Sequence, residues 1–339
     1  MRFDIIRLHF TAPLHLSNAR PDDYGSSERT IHSDTFTAAI FQAWATLGQT
    51  NWIPKTKTDA PGFAVSSLFP FRGGATPIYF LPKPYFRNEH TNTFTLEPGE
   101  AKKIKKLQFL DVPHFEAYLH QRETPSVGTS AICGSFQSSQ LADIQAEDGR
   151  NFLTSSVQTR LMRPRLETED PTPYYVERVF FRHDSGLWCL VRYDSAEARR
   201  RVRAAVEWLG DSGIGTDRAV GNGQFRAECD HTLDIDVPTA GAFAVNLSLF
   251  CPESHPQLTA LLADERTRYD LVRRGGWLSE PYNTLRKRSV WMLREGALLH
   301  QAGADKPVGK LVDLRPEVLP ESHPIWRDGR TILLPVNIA

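Results

Sequence analysis

The alternation of polar and apolar residues at the start of the chain predicts a β-strand over residues 2–11. After a polar, turn-rich segment, apolar residues recur at helical spacing: Phe36, Ile40, Ala43, Trp44 and Leu47. Ser33 is a favourable N-cap residue, and Asp34 places a negative charge in the first turn. We therefore expect an amphipathic helix over residues 33–47.

From residue 175 onward, the sequence again shows the apolar patterns of strands and helices. Two β-rich runs, 175–182 and 187–193, flank the sequence HDSG and predict a hairpin. Ser195 then caps a second predicted helix, and Gly210 suits its end. Its apolar stripe contains Ala198, Val202, Ala205, Val206 and Leu209. A strand is expected over 224–235.

This order of elements predicts an α+β protein with two ferredoxin-like (RRM-type) domains. The first domain spans residues 1–237, with a large irregular insertion at 49–174 that is rich in Pro and Gly. A second, more degenerate domain spans 238–339, with strand-like runs at 288–299, 308–314 and 330–337.

A glycine-rich loop over 211–223 separates the second predicted helix from its following strand. Its glycines are Gly213, Gly215, Gly221 and Gly223. Glycine permits positive φ and close backbone approach, and exposed amides in such a loop can bind phosphate. Thr216 and Arg218 add a hydroxyl and a guanidinium. The loop is neither a Walker sequence nor a dinucleotide fingerprint, and a simple tight connection between helix and strand explains it equally well.

Composition limits the function classes. The chain has 339 residues, with 40 basic and 40 acidic side chains, so basic residues act through local clusters and not through net charge. The four cysteines form no CxxC pair and the histidines no HExxH pair, so we expect no metal and no cofactor. No long apolar run predicts a membrane span, and we expect a cytoplasmic protein.

Five blocks of sequence carry a family resemblance. They are IHSDTF at 31–36, RLMRPR at 160–165 with YYVER at 174–178, GIG at 213–215 with GNGQF at 221–225, GGW at 275–277 with LRKR at 285–288 and EG at 295–296, and HPIWR at 323–327 with LPV at 334–336. Together they resemble the RAMP superfamily of CRISPR-associated proteins, and most closely the fourth subunit of the type III-A (Csm) effector complex.

The resemblance implies a non-catalytic subunit that binds the 5′ handle of the CRISPR RNA. Its implied partners are the large polymerase–nuclease subunit and the first backbone RAMP subunit. Family members also carry a thumb-like β-hairpin, which we assign to residues 160–175. The acidic, Pro-containing segment 167–173 departs from the Thr and Gly usual in that turn.

Candidate RNA-binding residues follow from these blocks. They are His32, Ser33, Arg160, Arg163, Arg165, Gly213, Gly215, Thr216, Arg218, Gly221, Gly223, Arg286, Lys287 and Arg288. Arginine suits bidentate phosphate contact and base stacking. For each basic cluster a solvated surface remains the alternative, and for Ser33 the alternative is a helix cap alone.

Two other functions stay open. A metal-independent endoribonuclease of the same superfamily would use a histidine base, with His32, His15 and Tyr24 as candidates. A protein-binding scaffold would use the loop for assembly.

Overall fold

The fold was analysed in a computed structural model. It describes residues 1–17, 24–86, 98–122, 132–140, 152–162, 170–182, 184–239, 241–278, 282–301, 306–319 and 323–338. The described helices are α1 (Ser33–Thr46), α2 (Pro98–Lys106), α3 (Val112–His120), α4 (Ala196–Ser212) and α5 (His255–Leu262). Among them, none is long and apolar enough to cross a membrane.

Among the described residues, strands outnumber helices. In the first part of the chain they are β1 (Arg2–Phe10), β2 (Phe63–Val65), β3 (Phe69–Arg72), β4 (Ile78–Pro82), β5 (Phe109–Asp111), β6 (Ile132–Cys133), β7 (Phe136–Gln137), β8 (Leu153–Met162), β9 (Thr172–Phe181), β10 (Gly186–Tyr193) and β11 (Phe225–Asp234). Later come β12 (Phe243–Asn246), β13 (Leu271–Arg274), β14 (Val290–Leu293), β15 (Leu298–Leu299), β16 (Leu311–Asp313), β17 (Trp326–Asp328) and β18 (Leu333–Val336).

A large sheet organises the first part of the molecule. Its strand order is β11-β1-β10-β3-β4-β5-β7-β6, and β2 also pairs with β10. Strands β11, β1, β10 and β3 are antiparallel to their neighbours. The fold is thus a mixed α+β structure with a large sheet and few helices.

The two helices predicted from periodicity are confirmed. In α4, Ser195 Oγ accepts a hydrogen bond from the Ala198 amide at 3.1 Å, and the predicted apolar stripe is buried. Trp44 of α1 donates its indole N–H to the Arg201 carbonyl at 2.9 Å, which ties α1 to α4. Gly210 lies inside α4, not at its end. Glycine is needed there because a Cβ would lie 2.6 Å from the Phe225 carbonyl oxygen.

The predicted hairpin between residues 175–182 and 187–193 is wrong. Strand β9 pairs with β8 along its whole length, whereas β10 pairs with β1, β2 and β3. Six residues of β10 are fully covered, as a central strand requires, while β8 and β9 form a half-exposed ribbon. Local β propensity cannot distinguish these two pairings.

The segment predicted as an irregular insertion contains much regular structure. Strands β2 to β7 lie within it, and all of them belong to the large sheet. Its many short strands bury Phe and Leu side chains such as Phe71, Phe80 and Leu110. Short strands broken by Pro and Gly give no extended alternation, so periodicity underestimated the order here.

The C-terminal part consists of short antiparallel pairs around one described helix, α5. Strands β15, β12 and β18 form a three-stranded sheet, and its residues Val245, Leu298 and Val336 join the same buried cluster as the large sheet. The two parts therefore share one apolar core, which fixes the C-terminal part against α1.

Candidate nucleic-acid interface

The glycine-rich loop closes α4 onto β11. Gly213 follows the helix with a φ of 78°, and Asp217 adopts the left-handed conformation before a short 3-10 turn at Arg218–Val220. A Cβ at Gly215, where φ is +95°, would lie 2.5 Å from the His15 carbonyl oxygen. Glycine is required there because the loop packs directly against the backbone of residues 13–16.

Many loop amides are used inside the protein. Ile214 donates to the Gly223 carbonyl, Thr216 to the His15 carbonyl and Gly223 to the Pro13 carbonyl, at 3.0, 3.0 and 2.8 Å. Those amides hold the loop in place instead of forming an open phosphate cradle. Polar side chains of the loop, such as the half-buried Arg218, are therefore better candidates for an external ligand than its amides.

The β8–β9 hairpin contacts this loop. Arg160 of β8 lies opposite Tyr174 in the strand register, and its guanidinium forms an ion pair with Asp217 at 3.5 Å. The structure thus brings one predicted basic residue of the hairpin to the predicted loop. Arg163 and Arg165 lie outside the described residues.

An aromatic group completes this face. Tyr24 is 42% exposed, and its ring lies 6.1 Å from that of Tyr174 and 6.0 Å from that of His15. The His15 Nδ1 lies 2.6 Å from the Glu177 carbonyl oxygen on β9. The sequence suggests Tyr24 only as a companion of a catalytic histidine. Nothing in its local sequence predicts that it would meet the hairpin.

His32 and Ser33 lie elsewhere, in the interior. His32, not Ser33, occupies the N-cap position of α1, which corrects the predicted cap. Ser33 Oγ instead accepts the Leu249 amide at 3.0 Å, and the Ser33 amide donates to Ser67 Oγ at 2.8 Å. Only 5% of His32 and 2% of Ser33 is exposed, so neither side chain has a surface for RNA.

A buried ionic network surrounds these two residues. His32 Nδ1 lies 2.7 Å from Glu295 Oε1, and Ser67 donates to the same carboxylate. Burial alone would raise the pKa of Glu295, but the charge of His32 and hydrogen bonds from His32 and Ser67 hold it below its ordinary value. This network joins α1 to the C-terminal part.

Asp34 is the centre of a second ionic group. It is fully buried and forms ion pairs with Arg274 at 2.9 Å and Arg327 at 3.5 Å. Burial would raise the pKa of Asp34, but the two guanidinium groups hold it well below its ordinary value. These contacts give Asp34 a structural role in the interior of the protein.

The basic run 286–288 divides among three environments. Arg286 lies over the ring of Trp277 at 4.5 Å, and Arg288 donates to the Asp313 carbonyl at 2.9 Å. Burial, together with the neighbouring charge of Arg327, lowers the pKa of Lys287 to about 8. Trp277 is 41% exposed, so the ring and the guanidinium of Arg286 lie together at the surface.

The nuclease candidates do not form one group. His32 is bound to Glu295, whereas His15 is bound to Glu177 and stacked with Tyr24. Within the described ranges, no group of three or more His, Cys, Asp or Glu side chains is arranged to hold a metal ion.

Comparisons with known proteins agree with this architecture. A family model of the CRISPR Csm4 C-terminal domain matches residues 239–336. The CRISPR system protein Csm4 of Thermococcus onnurineus is 27% identical over 252 residues, which cover 72% of this chain and 74% of that protein.

Solved structures show the same fold. A chain of the Csm1–Csm4 cassette in complex with cA4 superposes with a TM-score of 0.64 at 20% identity, covering 100% of this chain and 99% of that one. A chain of the Csm3–Csm4 subcomplex of the type III-A CRISPR-Cas interference complex gives 0.61 at 16% identity, covering 99% and 100%. Residues 239–336 therefore match the Csm4 C-terminal domain family, and the whole chain is similar to Csm4 proteins in sequence and in fold.

Proposed function

We propose that this protein is a non-catalytic subunit of a type III-A CRISPR effector that binds the 5′ handle of the CRISPR RNA. In this role it links the RNA to the large polymerase–nuclease subunit and to the backbone RAMP subunits. The family matches support the role in the effector, and the solved relatives were captured with Csm1 and with Csm3, which supports those two partners.

One observation carries the RNA-binding part of the proposal. The Arg160–Asp217 ion pair joins the hairpin to the glycine-rich loop, where Arg218 follows Asp217 directly in the chain. The exposed ring of Tyr24 lies beside Tyr174, the strand partner of Arg160. Guanidinium groups for phosphates beside an aromatic ring for bases are the combination that single-stranded RNA requires. Because the loop is already bound to residues 13–16, it needs little reordering on binding.

The strand order supports the ferredoxin-like interpretation of residues 1–237. The order β11-β1-β10-β3 places the last strand beside the first and the second beside the third, as in a βαββαβ unit. In this interpretation β3 is the second strand of the unit, where the sequence had suggested β9. The ferredoxin-like character of 238–339 remains a prediction.

Ribonuclease activity is the less favoured function. A general base must reach the substrate proton, directly or through one water. His32 is buried and its Nδ1 is engaged by Glu295, so it is poorly placed for that work.

The test is a polarisation titration of a labelled 5′-handle RNA with the full chain bound to its large-subunit partner. Arg218→Ala should weaken binding several-fold and reduce the log–log salt slope by about 0.7, the share of one phosphate on a single strand. Arg200→Ala is the matched control, because Arg200 is an exposed helix residue already paired with Glu197.

Equal affinity and salt slope for the wild type and Arg218→Ala would contradict a binding role for the loop. Recovery of cut RNA would instead favour the ribonuclease.

A further inference from the structure

We propose that a basic cleft beside α2 is a second binding site for the RNA sugar–phosphate backbone. This inference rests on the proposed function, and it adds a site that lies apart from the glycine-rich loop. The cleft has a volume of about 700 Å³ and is lined by Arg29, Lys102, Lys105, Lys106, Gln108, Gly134 and Ser135.

The lining chemistry selects an anion. Four of the lining side chains are cationic, Gln108 and Ser135 supply neutral polar groups, and none of the lining residues carries a carboxylate. Lys105 and Lys106 lie three and four residues after Lys102, so the three lysines share one face of α2. A row of cations along a helix matches a ligand with repeated negative charges better than a single small anion.

The lysine charges are not cancelled by neighbours. Lys102, Lys105 and Lys106 are exposed, and in the described part of the chain no acidic side chain lies within ion-pair distance of them. The arginines of α4 show the contrast. Arg199 pairs with Asp4, Arg200 and Arg201 with Glu197, and Arg203 with Glu207 and Asp230. One basic cluster is neutralised by the fold, and the other is left for a ligand.

A purely local role for these lysines is insufficient. Lys103, Lys105 and Lys106 occupy the last turn of α2, where cations favour the helix dipole. That end carries only about half a negative charge, so one lysine would balance it. Arg29 belongs to a different segment altogether and adds a further positive charge to the same cleft.

The floor of the cleft is fixed by backbone hydrogen bonds. The amides of Gln108 and Phe109 both donate to the Ser135 carbonyl at 2.9 Å, and the Lys83 amide donates to the Gln108 carbonyl at 2.8 Å. On the other wall, Arg29 Nη2 lies 3.5 Å from Ser155 Oγ on β8. The backbone of Gln108 and Ser135 is therefore held in place, while the exposed side chains of Arg29 and the lysines can adjust to a flexible chain.

The hairpin stands between the two sites. Ser155, which contacts Arg29, and Arg160, which contacts the glycine-rich loop, are five residues apart on β8 and so point to opposite faces of the ribbon. Five residues of strand span roughly 17 Å. An RNA that reaches both sites must pass the hairpin, so it must be longer than one that binds the loop face alone.

The test compares two labelled RNAs, the 5′ handle alone and the handle extended by guide nucleotides, with the full chain bound to its large-subunit partner. The variant is K102E/K105E/K106E. The control K55E/K57E/K306E makes the same charge change at exposed lysines elsewhere. We expect the first triple variant to lose at least tenfold in affinity for the extended RNA and about 2 in salt slope, the share of three phosphates. Its affinity for the handle alone should match the control.

Equal binding of the extended RNA by the two triple variants would overturn this inference and leave the proposed function intact. Retained RNA binding with loss of co-purified partner subunits would assign the cleft to an acidic protein surface and also overturn it. If the wild type bound neither RNA, the proposed function itself would fail.

Discussion

Arg274 forms a bidentate ion pair with Asp34, with Nε 2.9 Å from Oδ2 and Nη2 3.1 Å from Oδ1. The two residues are 240 positions apart in the chain. Asp34 lies in the first turn of α1 and Arg274 ends β13, so the pair joins the C-terminal part to the helix that packs beside the large sheet. Because the carboxylate is fully buried, its removal leaves two guanidinium groups with an uncompensated charge.

Asp34→Asn should therefore lower the free energy of unfolding by about 3–5 kcal/mol, the usual cost of breaking a buried ion pair. Urea unfolding at pH 7, followed by circular dichroism, measures this change. Asp230→Asn is the control, because its pair with Arg203 is exposed and its loss should change stability little. A similar small effect for both variants would mean that the Asp34 network does not stabilise the fold.

Acid should destabilise the protein through the same network. The pKa values of Asp34 and Glu295 are both lower in the folded protein than their ordinary values. Their contribution to stability is therefore complete above the unfolded pKa, near 4, and is lost as the pH falls below it. Urea midpoints between pH 7 and pH 3 should fall steeply below pH about 4.5, and less steeply for Asp34→Asn. Parallel pH profiles for the two proteins would exclude Asp34 as a source of the acid sensitivity.

Lys287 predicts a pH effect of the opposite kind. The pKa of Lys287 is lowered to about 8 in the folded protein. Between pH 8 and the ordinary pKa of lysine, the unfolded chain therefore binds more protons than the folded protein. Stability should consequently rise with pH over that window. Lys287→Gln should be more stable than the wild type at pH 7, on the order of 2 kcal/mol, and this advantage should shrink toward pH 10. A constant difference between the two proteins from pH 7 to pH 10 would argue against a displaced lysine.

His32→Ala separates a structural role from an RNA-binding role. The variant removes one of the two side-chain partners of Glu295 and should cost about 1–3 kcal/mol of unfolding free energy, because the buried carboxylate loses a hydrogen bond. Handle affinity, measured by polarisation at 15 °C, should stay within twofold of the wild type, since His32 is interior. A large loss of handle affinity in a fully folded variant would instead mean that His32 takes part in RNA binding.

Two glycines of the loop form a matched pair. Gly215→Ala puts a Cβ 2.5 Å from the His15 carbonyl oxygen, whereas a Cβ at Gly221 meets nothing within 4 Å. Both positions have positive φ, so both variants carry the left-handed cost of about 1–2 kcal/mol. Only Gly215→Ala should also detach the loop and weaken handle binding. Equal RNA affinities for the two variants would show that docking of the loop on residues 13–16 does not matter for binding.

Helices α1 and α4 follow from the sequence because the signals that specify them are local. The cap at Ser195, the stripe from Ala198 to Leu209 and the stripe from Phe36 to Trp44 all operate within one or two helical turns. Strands β1 and β11 were predicted for the same reason, since a run of alternating residues predicts its own two faces. The glycines of the loop marked a place of close backbone approach, which the contact with His15 confirms.

Only the tertiary structure decided the pairing of these elements. Strand β9 has no local feature that selects β8 over β10, and the choice depends on β3 reaching β10 from the Pro- and Gly-rich segment. Ser33 has the sequence of a helix cap, but Leu249 and Ser67 take its hydrogen bonds. Asp34 and Arg274, and likewise Arg160 and Asp217, meet across long stretches of chain. Contacts of this kind depend on how the whole chain packs, and no local pattern of residues records them.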